Sequence, residues 1–373
     1  MRNSLEDKIL AEIDKISEEM IQGILEVVRI DSVKSEPQEN APFGKGVKKA
    51  LDKALELAEE LGFETVNVDN YVGYAKYGES EDYIGVMGHL DVVEAGEGWT
   101  HPPFSGYMDE NGRIFSRGIL DNKGPVLSCL YALYALKRLH IPLSRQVRIM
   151  FGTDEESGFE DLTYYLSKEK PPVMGWTPDC KYPVVYGERG RAHLQIRADQ
   201  VHLQQFFSFV TTYFLESAAS GNRLGIDYHD DEYGEMQMRG YALRTEQEDV
   251  VFQFTLSYPA CCSIQDIQKQ IRTKLDSCCT LQLLHNYDPV RFEKDCFMVR
   301  ALQSAYEQVS GLDGTPVTTT GGTYAKAMPN IVPFGPSFPG QKGIGHQPDE
   351  WMDIKDIIMN AKIYALSLYK LAK

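Results

Sequence analysis

Two apolar runs govern what this chain can become. Tyr83 to Met87 (YIGVM) and Gln146 to Phe151 (QVRIMF) each read as a β-strand. Each meets ionisable side chains where it stops: Gly88-His89-Leu90-Asp91 after the first, Asp154-Glu155-Glu156-Ser157-Gly158 after the second. Between them Gly124 to His140 (GPVLSCLYALYALKRLH) is a strongly apolar helix, and Asp161 to Lys168 is helical again. Strands alternating with helices predict an α/β domain with a largely parallel sheet. Open sheets of that kind collect ligands at the carboxyl ends of their strands, so the position of the charged residues matters as much as their identity.

The remaining patterns fix the domain plan. The first sixty residues read as helical, with apolar stripes at Met20, Ile21, Ile24, Leu25, Val27 and Val28 and again at Val47, Leu51, Ala54, Leu55, Ala58 and Leu61. Strand signals follow at 65–68 and 71–77. The character changes near Gly187: strands at 192–198, 235–243 and 249–258 mix with helices at 203–216 and 264–275. From Asp288 the pattern reverts, with helices at 295–309 and 353–371. A chain of 373 residues exceeds what one core usually organises. The expected arrangement is a discontinuous α/β domain, 1–187 plus 288–373, carrying a smaller α+β insertion, 188–287.

Charge narrows the partners. Thirty-eight Lys+Arg against fifty-four Asp+Glu leave a formal charge of −16, a field that repels phosphate backbones and anionic lipid. No nucleic acid or membrane partner is expected, and no apolar run approaches bilayer length. The amphipathic start, MRNSLEDKILAEIDKI, lacks a signal-peptide core, and the seven cysteines are an odd count with no zinc-ribbon spacing. Reduced thiols in a cytoplasmic protein are the expectation.

Five segments offer chemistry, and each has a plainer reading. His89 and Asp91 fall on one side of an extended chain, where a carboxylate can fix the tautomer of a metal-bound imidazole; alone, the pair also suits a surface turn. Asp121, in Arg117-Gly118-Ile119-Leu120-Asp121-Asn122-Lys123-Gly124, is either a helix N-cap or a metal-bridging carboxylate. Glu155 and Glu156 are either part of an exposed acidic loop or a division of labour, one ligating metal and the other moving a proton. Asp179 follows Thr177-Pro178 in a turn context. His346 follows three glycines within seven residues, which let the backbone bend so that the ring reaches inward. Together these segments supply two His, three carboxylates and a spare Glu, a donor set suited to two zinc ions bridged by one carboxylate and a water.

In that order, H-x-D, G-x-x-D-[DN]-K-G, D-E-E-[ST]-G, T-P-D and a C-terminal H-Q, the chain resembles the co-catalytic zinc metallopeptidases, above all the PepV-like dipeptidases. Aminoacylases, acetylornithine deacetylase and succinyl-diaminopimelate desuccinylase share the pattern. The stretches FGTDEESG, TPDCKYPVVYGERG and TGGTYAKAMPN extend the match. The resemblance implies that His89, Asp121 and Asp179 hold one metal and that Asp121, Glu156 and His346 hold the other. Asp91 orients His89, and Glu155 is the general base. It also implies amide hydrolysis of a small peptide or N-acyl amino acid by a metal-bridged hydroxide. Two divalent ions are expected, zinc first, with manganese and cobalt compatible.

The insertion departs from that family. Ser257 stands where an R-Y-P arginine would grip the substrate carboxylate, and the A-H-A-S motif carrying an oxyanion-stabilising histidine is absent. His229, beside Asp230 and Asp231, is the best substitute histidine among His193, His202, His229 and His285; Arg223, Arg239 and Arg244 are candidates for the arginine. The departures leave open a relative that binds metal or peptide with little catalysis, or an N-acyl amino acid deacylase. Both monomer and homodimer fit the shortened insertion.

Overall fold

A computed structural model describes residues 4–373. The chain divides into two compact units. The larger holds the residues up to Val185 together with Glu293–Pro316 and Thr323–Lys373; the smaller holds Tyr186–Phe292 and Val317–Gly322.

In the larger unit the expected helical start is two helices, Leu5–Val28 and Lys45–Glu60. Ser4 begins the first with a reciprocal cap: its hydroxyl accepts the Asp7 N–H, and the Asp7 carboxylate accepts the Ser4 N–H. Both predicted stripes are buried. Residues 29–44 are not helical; this polar stretch contains Pro37, which cannot donate to a helix ladder.

The central sheet runs Glu64–Val68, Val72–Tyr77, Gln146–Gly152, Tyr83–His89, Met174–Thr177, Ile331–Pro333 in spatial order. The last four strands are mutually parallel, and the first two join antiparallel at one edge. Every residue of Tyr83–His89 is buried, as a central parallel strand requires. The apolar helix, Lys123–Arg138, is buried on nearly all sides and packs against Leu5–Val28 and the final helix Ile354–Ala372. That is why its sequence is apolar all round. Beneath the parallel strands Trp176 is fully buried, its ring 5.9 Å from Tyr364 and 6.3 Å from Phe334. All three tryptophans, Trp99, Trp176 and Trp351, belong to this unit.

The smaller unit is a four-stranded antiparallel sheet, ordered Gln237–Glu246, Asp249–Tyr258, Gly190–Asp199, Thr280–Tyr287. One face packs Leu194, Ile196, Phe252, Phe254 and Leu256 against helices Leu203–Val210 and Ile264–Lys274. The predicted helix 203–216 is shorter: it continues past Val210 as one π-helical turn, Thr211–Leu215, which keeps Phe214 in the core beside Phe252 and Phe254. The strand Thr280–Tyr287 is an addition to the expected set; it lies at a sheet edge with both faces partly exposed, so no alternation marks it. The unit's limits also differ from 188–287. Val185–Glu188 pairs with Val290–Arg291, and Val317–Thr319 joins the same small sheet, so the unit begins at Tyr186, reaches Phe292 and takes in a short later segment. Among the described residues no helix is long and apolar enough to cross a membrane.

Truncating Trp176 to Ala empties the centre of the larger unit. We expect a loss of about 3–5 kcal/mol in stability, measured by urea unfolding followed by far-UV circular dichroism.

Candidate metal centre

Three parallel strands of the larger unit end side by side and deliver most of the ionisable groups. The Tyr83–His89 strand ends on His89, whose ring is fully buried; Gln146–Gly152 runs into Glu155 and Glu156; Met174–Thr177 runs into Asp179. Asp121 comes from the turn before helix Lys123–Arg138. The helix-cap reading of Asp121 fails, because Asn122 occupies the N-cap and no side chain caps the helix. Instead Asn122 ties strand ends together, donating to the Pro178 carbonyl at 2.6 Å and accepting the His89 N–H at 3.3 Å.

His346 arrives from the glycine-rich loop with its backbone in the left-handed region, at φ 62°. The preceding glycine lies close against Asp121. A Cβ on Gly345 would lie 3.3 Å from Oδ2 of Asp121.

The two oxygens of Asp121 face different imidazoles. Oδ1 is 3.0 Å from Nε2 of His89, and Oδ2 is 3.0 Å from Nε2 of His346. Around them, Asp179 Oδ2 is 3.6 Å from Nε2 of His89, and Glu156 Oε1 is 2.9 Å from Nε2 of His346. Two groups of donor atoms result, His89–Asp121–Asp179 and Asp121–Glu156–His346, each within 4.8 Å and sharing Asp121. The residue types, spacing and sharing fit two hard-to-borderline divalent cations with nitrogen and oxygen ligands. Among the described residues no cysteine enters such a group.

Asp91 works differently from the simplest expectation. Nδ1 of His89 is 2.9 Å from the Asp91 carbonyl oxygen but 3.5 Å from its carboxylate. A carbonyl only accepts, so Nδ1 carries a proton, and Nε2 is the nitrogen turned towards Asp121 and Asp179. The carboxylate of Asp91 accepts the backbone N–H groups of Glu155 and Glu156, both at 3.1 Å. It therefore holds in place the turn that carries both glutamates.

The acidic loop is far from being a solvated surface. Asp154 is buried and paired with Lys34 at 2.6 Å. Asp161, also buried, accepts the N–H groups of Thr153 and Asp154 and the hydroxyl of Tyr324, which stands edge-on to His89 at 6.2 Å.

Two supporting residues escaped the sequence reading. Glu350 is fully buried; its Oε1 accepts the N–H groups of Leu120 and Asp121 at 2.9 and 3.1 Å, and its Oε2 pairs with buried Arg117 at 2.7 Å. Arg117 stood in the quoted segment and Glu350 four residues past His346, yet a Glu in a Pro-Asp-Glu turn gives no sign of burial.

The electrostatics follow from crowding. Burial would lower His89, but Asp121, Asp179 and Asp91 hold its pKa well above the imidazole range. The carboxylates of Asp121 and Glu156, which accept from its ring, raise the pKa of His346 to about 10. Burial, with Asp121 next, pushes Asp179 up to about 7. Burial and then Asp179 push Glu155 well above the carboxylate range, His89 opposing. Asp121 alone moves down: burial would raise it, and the two imidazoles overcome that. Divalent cations would reverse these preferences for protons.

The expected substitutes in the smaller unit are spread apart. His229 is mostly exposed, 3.6 Å from Asp231. Arg223 bonds Glu216 and the Thr212 carbonyl; Arg244 bonds Glu246 and Gln253. Arg239 has no such partner among the described residues.

Comparison with known proteins gives a consistent result. The model of peptidase family M20/M25/M40 matches residues 85–370. The putative dipeptidase YtjP of Bacillus subtilis (strain 168) is 29% identical, covering 97% of this chain and 99% of that protein. The Beta-Ala-Xaa dipeptidase of Lactobacillus delbrueckii subsp. lactis is 27% identical, covering 98% of each. The YtjP alignment spans 463 positions against the 373 residues of this chain, so at least 90 positions have no counterpart here. Human carnosine dipeptidase 1 has a similar fold, with a TM-score of 0.72 at 16% identity over 99% of both chains. So does aminopeptidase PepT from Bacillus cereus ATCC 10987, with a TM-score of 0.69 at 15% identity over 96% of this chain and 99% of that one.

His89→Ala and His346→Ala should each lose bound metal by elemental analysis; unchanged content in both would reject the ligand assignment. Glu350→Ala leaves Arg117 buried without its carboxylate and frees the Asp121 N–H. We expect about 3–5 kcal/mol of destabilisation on denaturant titration, together with reduced metal content.

Proposed function

The chain belongs to peptidase family M20/M25/M40 and is a metallopeptidase; we propose that it cleaves the amide bond of a dipeptide at the site centred on Asp121. The observation that carries this reading is the shared carboxylate, one oxygen turned to each imidazole, with a second glutamate left over. Relatives named as dipeptidases along their whole length support the substrate class. His89, Asp121 and Asp179 would hold one ion, and Asp121, Glu156 and His346 the other. Zinc is the first candidate for an imidazole and carboxylate set, with manganese and cobalt compatible. When bound, the ions polarise the amide carbonyl and acidify water.

Glu155 is the base. Its carboxylate has no hydrogen bond or ion pair among the described residues, while its backbone N–H is fixed on Asp91. That unengaged carboxylate suits a group that takes a proton from the attacking water and returns it to the departing amine nitrogen. Asp91, through the same backbone contacts, keeps that carboxylate beside the ligand set. The cytoplasm is the proposed compartment, since all seven cysteines are free thiols.

A second reading, a metal- or peptide-binding relative with little turnover, draws on the missing 90 positions and on Ser257. One experiment separates the two. Wild-type protein loaded with zinc, manganese or cobalt is assayed on a panel of dipeptides and N-acyl amino acids, beside Glu155→Gln. We expect dipeptide hydrolysis that a chelator abolishes and metal restores, and a loss of about 10²–10⁴-fold in turnover for Glu155→Gln with metal content unchanged. A metal-loaded wild type inert on the whole panel would favour the second reading.

A further inference from the structure

A cleft of about 350 Å³ opens beside the ligand set, lined wholly by the larger unit. Asp121 and Asp179 are part of its wall; the strand Cys180–Lys181, the segment Pro336–Ser337 and the loop 341–345 supply most of the rest. Both flanking segments are fixed. Cys180–Lys181 follows Asp179 at once and pairs in parallel with Pro336–Ser337, which sets Ser337 beside Lys181. The Tyr182 N–H donates to the Ser337 carbonyl at 2.8 Å, and the Gly335 N–H to the Lys181 carbonyl at 3.1 Å. In the loop, Gln341 accepts the Phe338 N–H at 2.9 Å and donates to Asp356, on the final helix, at 2.7 Å. Gln341 is thereby spent on holding the loop rather than on a ligand.

The charged groups that remain are all of one sign. Asp121 and Asp179 are the only acids in the lining, and both belong to the proposed ligand set. Lys181 and Lys342 line the same cleft. Neither lysine has an ion pair or hydrogen bond among the described residues, although the chain as a whole carries −16. Elsewhere in this unit exposed lysines find acids: Lys15 pairs with Glu12 at 2.9 Å, and Lys362 with Asp14 at 2.6 Å. The Ser337 hydroxyl is likewise unengaged among the described residues.

The other walls are apolar, formed by Leu120, Pro336 and Ile344. Apolar walls with a few free polar groups are the usual make-up of a small-molecule site, and this volume lies at the small end of that range. The complement of such a cleft is a short aliphatic stem ending in an anion. Lysine is a point charge on a flexible four-carbon stem, without the planar fork of arginine. Two such stems on separate segments reach over a range of positions, which suits a carboxylate at the end of a side chain.

We propose that Lys181 and Lys342 make the cleft selective for dipeptides that carry an acidic side chain, aspartate or glutamate, whose carboxylate they receive. The inference rests on the dipeptidase reading for its substrate class and adds a specificity to it. A free dicarboxylate shares the chemistry of that side chain, whereas a neutral amide of the same shape lacks its charge.

The test is calorimetric titration of the metal-loaded full-length Glu155→Gln protein, which leaves the peptide uncut, with Ala-Glu against Ala-Gln, Glu-Ala against Gln-Ala, and succinate. The titrations are repeated with Lys181→Met/Lys342→Met added; both lysines are exposed, so the fold does not depend on them. Each pair holds the backbone carboxylate constant, so the ratio reads the side chain alone. We expect a preference of about tenfold or more for the acid in one pair, the worth of one charge-assisted contact. The double variant should reduce that ratio below about threefold, as for an exposed charge pair removed, with metal content unchanged. No preference in either pair, or a preference that survives both substitutions, overturns the assignment. Succinate binding more tightly than both acidic dipeptides, and lost in the variant, overturns the dipeptide as occupant. Wild-type turnover on the same peptides separates the two readings. A protein that cleaves acidic and neutral dipeptides alike, without a binding preference, is a dipeptidase lacking this specificity. One that cleaves none of them, yet shows the lysine-dependent preference, keeps the cleft and loses the dipeptidase reading.

Discussion

Like charge forced together is the constraint on which the larger unit turns. Asp91, Asp121, Glu155, Glu156, Asp179 and Glu350 are all withdrawn from full solvation around one set of strand ends. Each needs a reason to remain there, because a buried carboxylate without a donor or a cation gives up its charge. Asp91 has two backbone N–H groups, Glu350 has two more and Arg117, and Asp121 has two imidazoles. Glu155 has none, and Asp179 only a distant one. The deficit lies where bound cations would lie, so the fold is electrostatically incomplete in the one place where its chemistry is concentrated.

How much of this was legible follows from what each residue shows in one dimension. The order of motifs carried the residues that converge on Asp121, because a strand that ends in a charged side chain is visible as an abrupt change in polarity. The apolar helix was equally plain. Asp121 was ambiguous in isolation, since a helix cap and a bridging carboxylate present the same letter before the same helix. Glu350 and Arg117 were silent: their pairing spans 233 positions and uses backbone groups that any sequence possesses. The strand Thr280–Tyr287 and the segment Val317–Thr319 were missed for another reason, being short or half exposed, so that neither period nor burial leaves a trace.

The two units also show why net charge is a poor guide to local chemistry. A total of −16 argues against polyanionic partners over distances comparable to the screening length. It says nothing about a sheet face a few ångströms across. There, in the smaller unit, strand register places Arg191, Arg239, His193 and His285 together while the balancing acids sit at the far end of the same sheet. Register, unlike composition, is a property of pairing, and one residue of slip would turn the entire row toward the helices.

The distribution of indole rings has a practical consequence. Trp99 lies over Arg117, which holds Glu350; Trp176 precedes Asp179 by three residues; Trp351 stacks on Arg113 immediately after Glu350. The smaller unit contains none. Intrinsic emission excited at the red edge is thus a signal from one unit only, while the amide circular dichroism averages over both. Comparing the two optical transitions in a single denaturant series separates the melting of the scaffold that carries the carboxylates from that of its insertion, without any label.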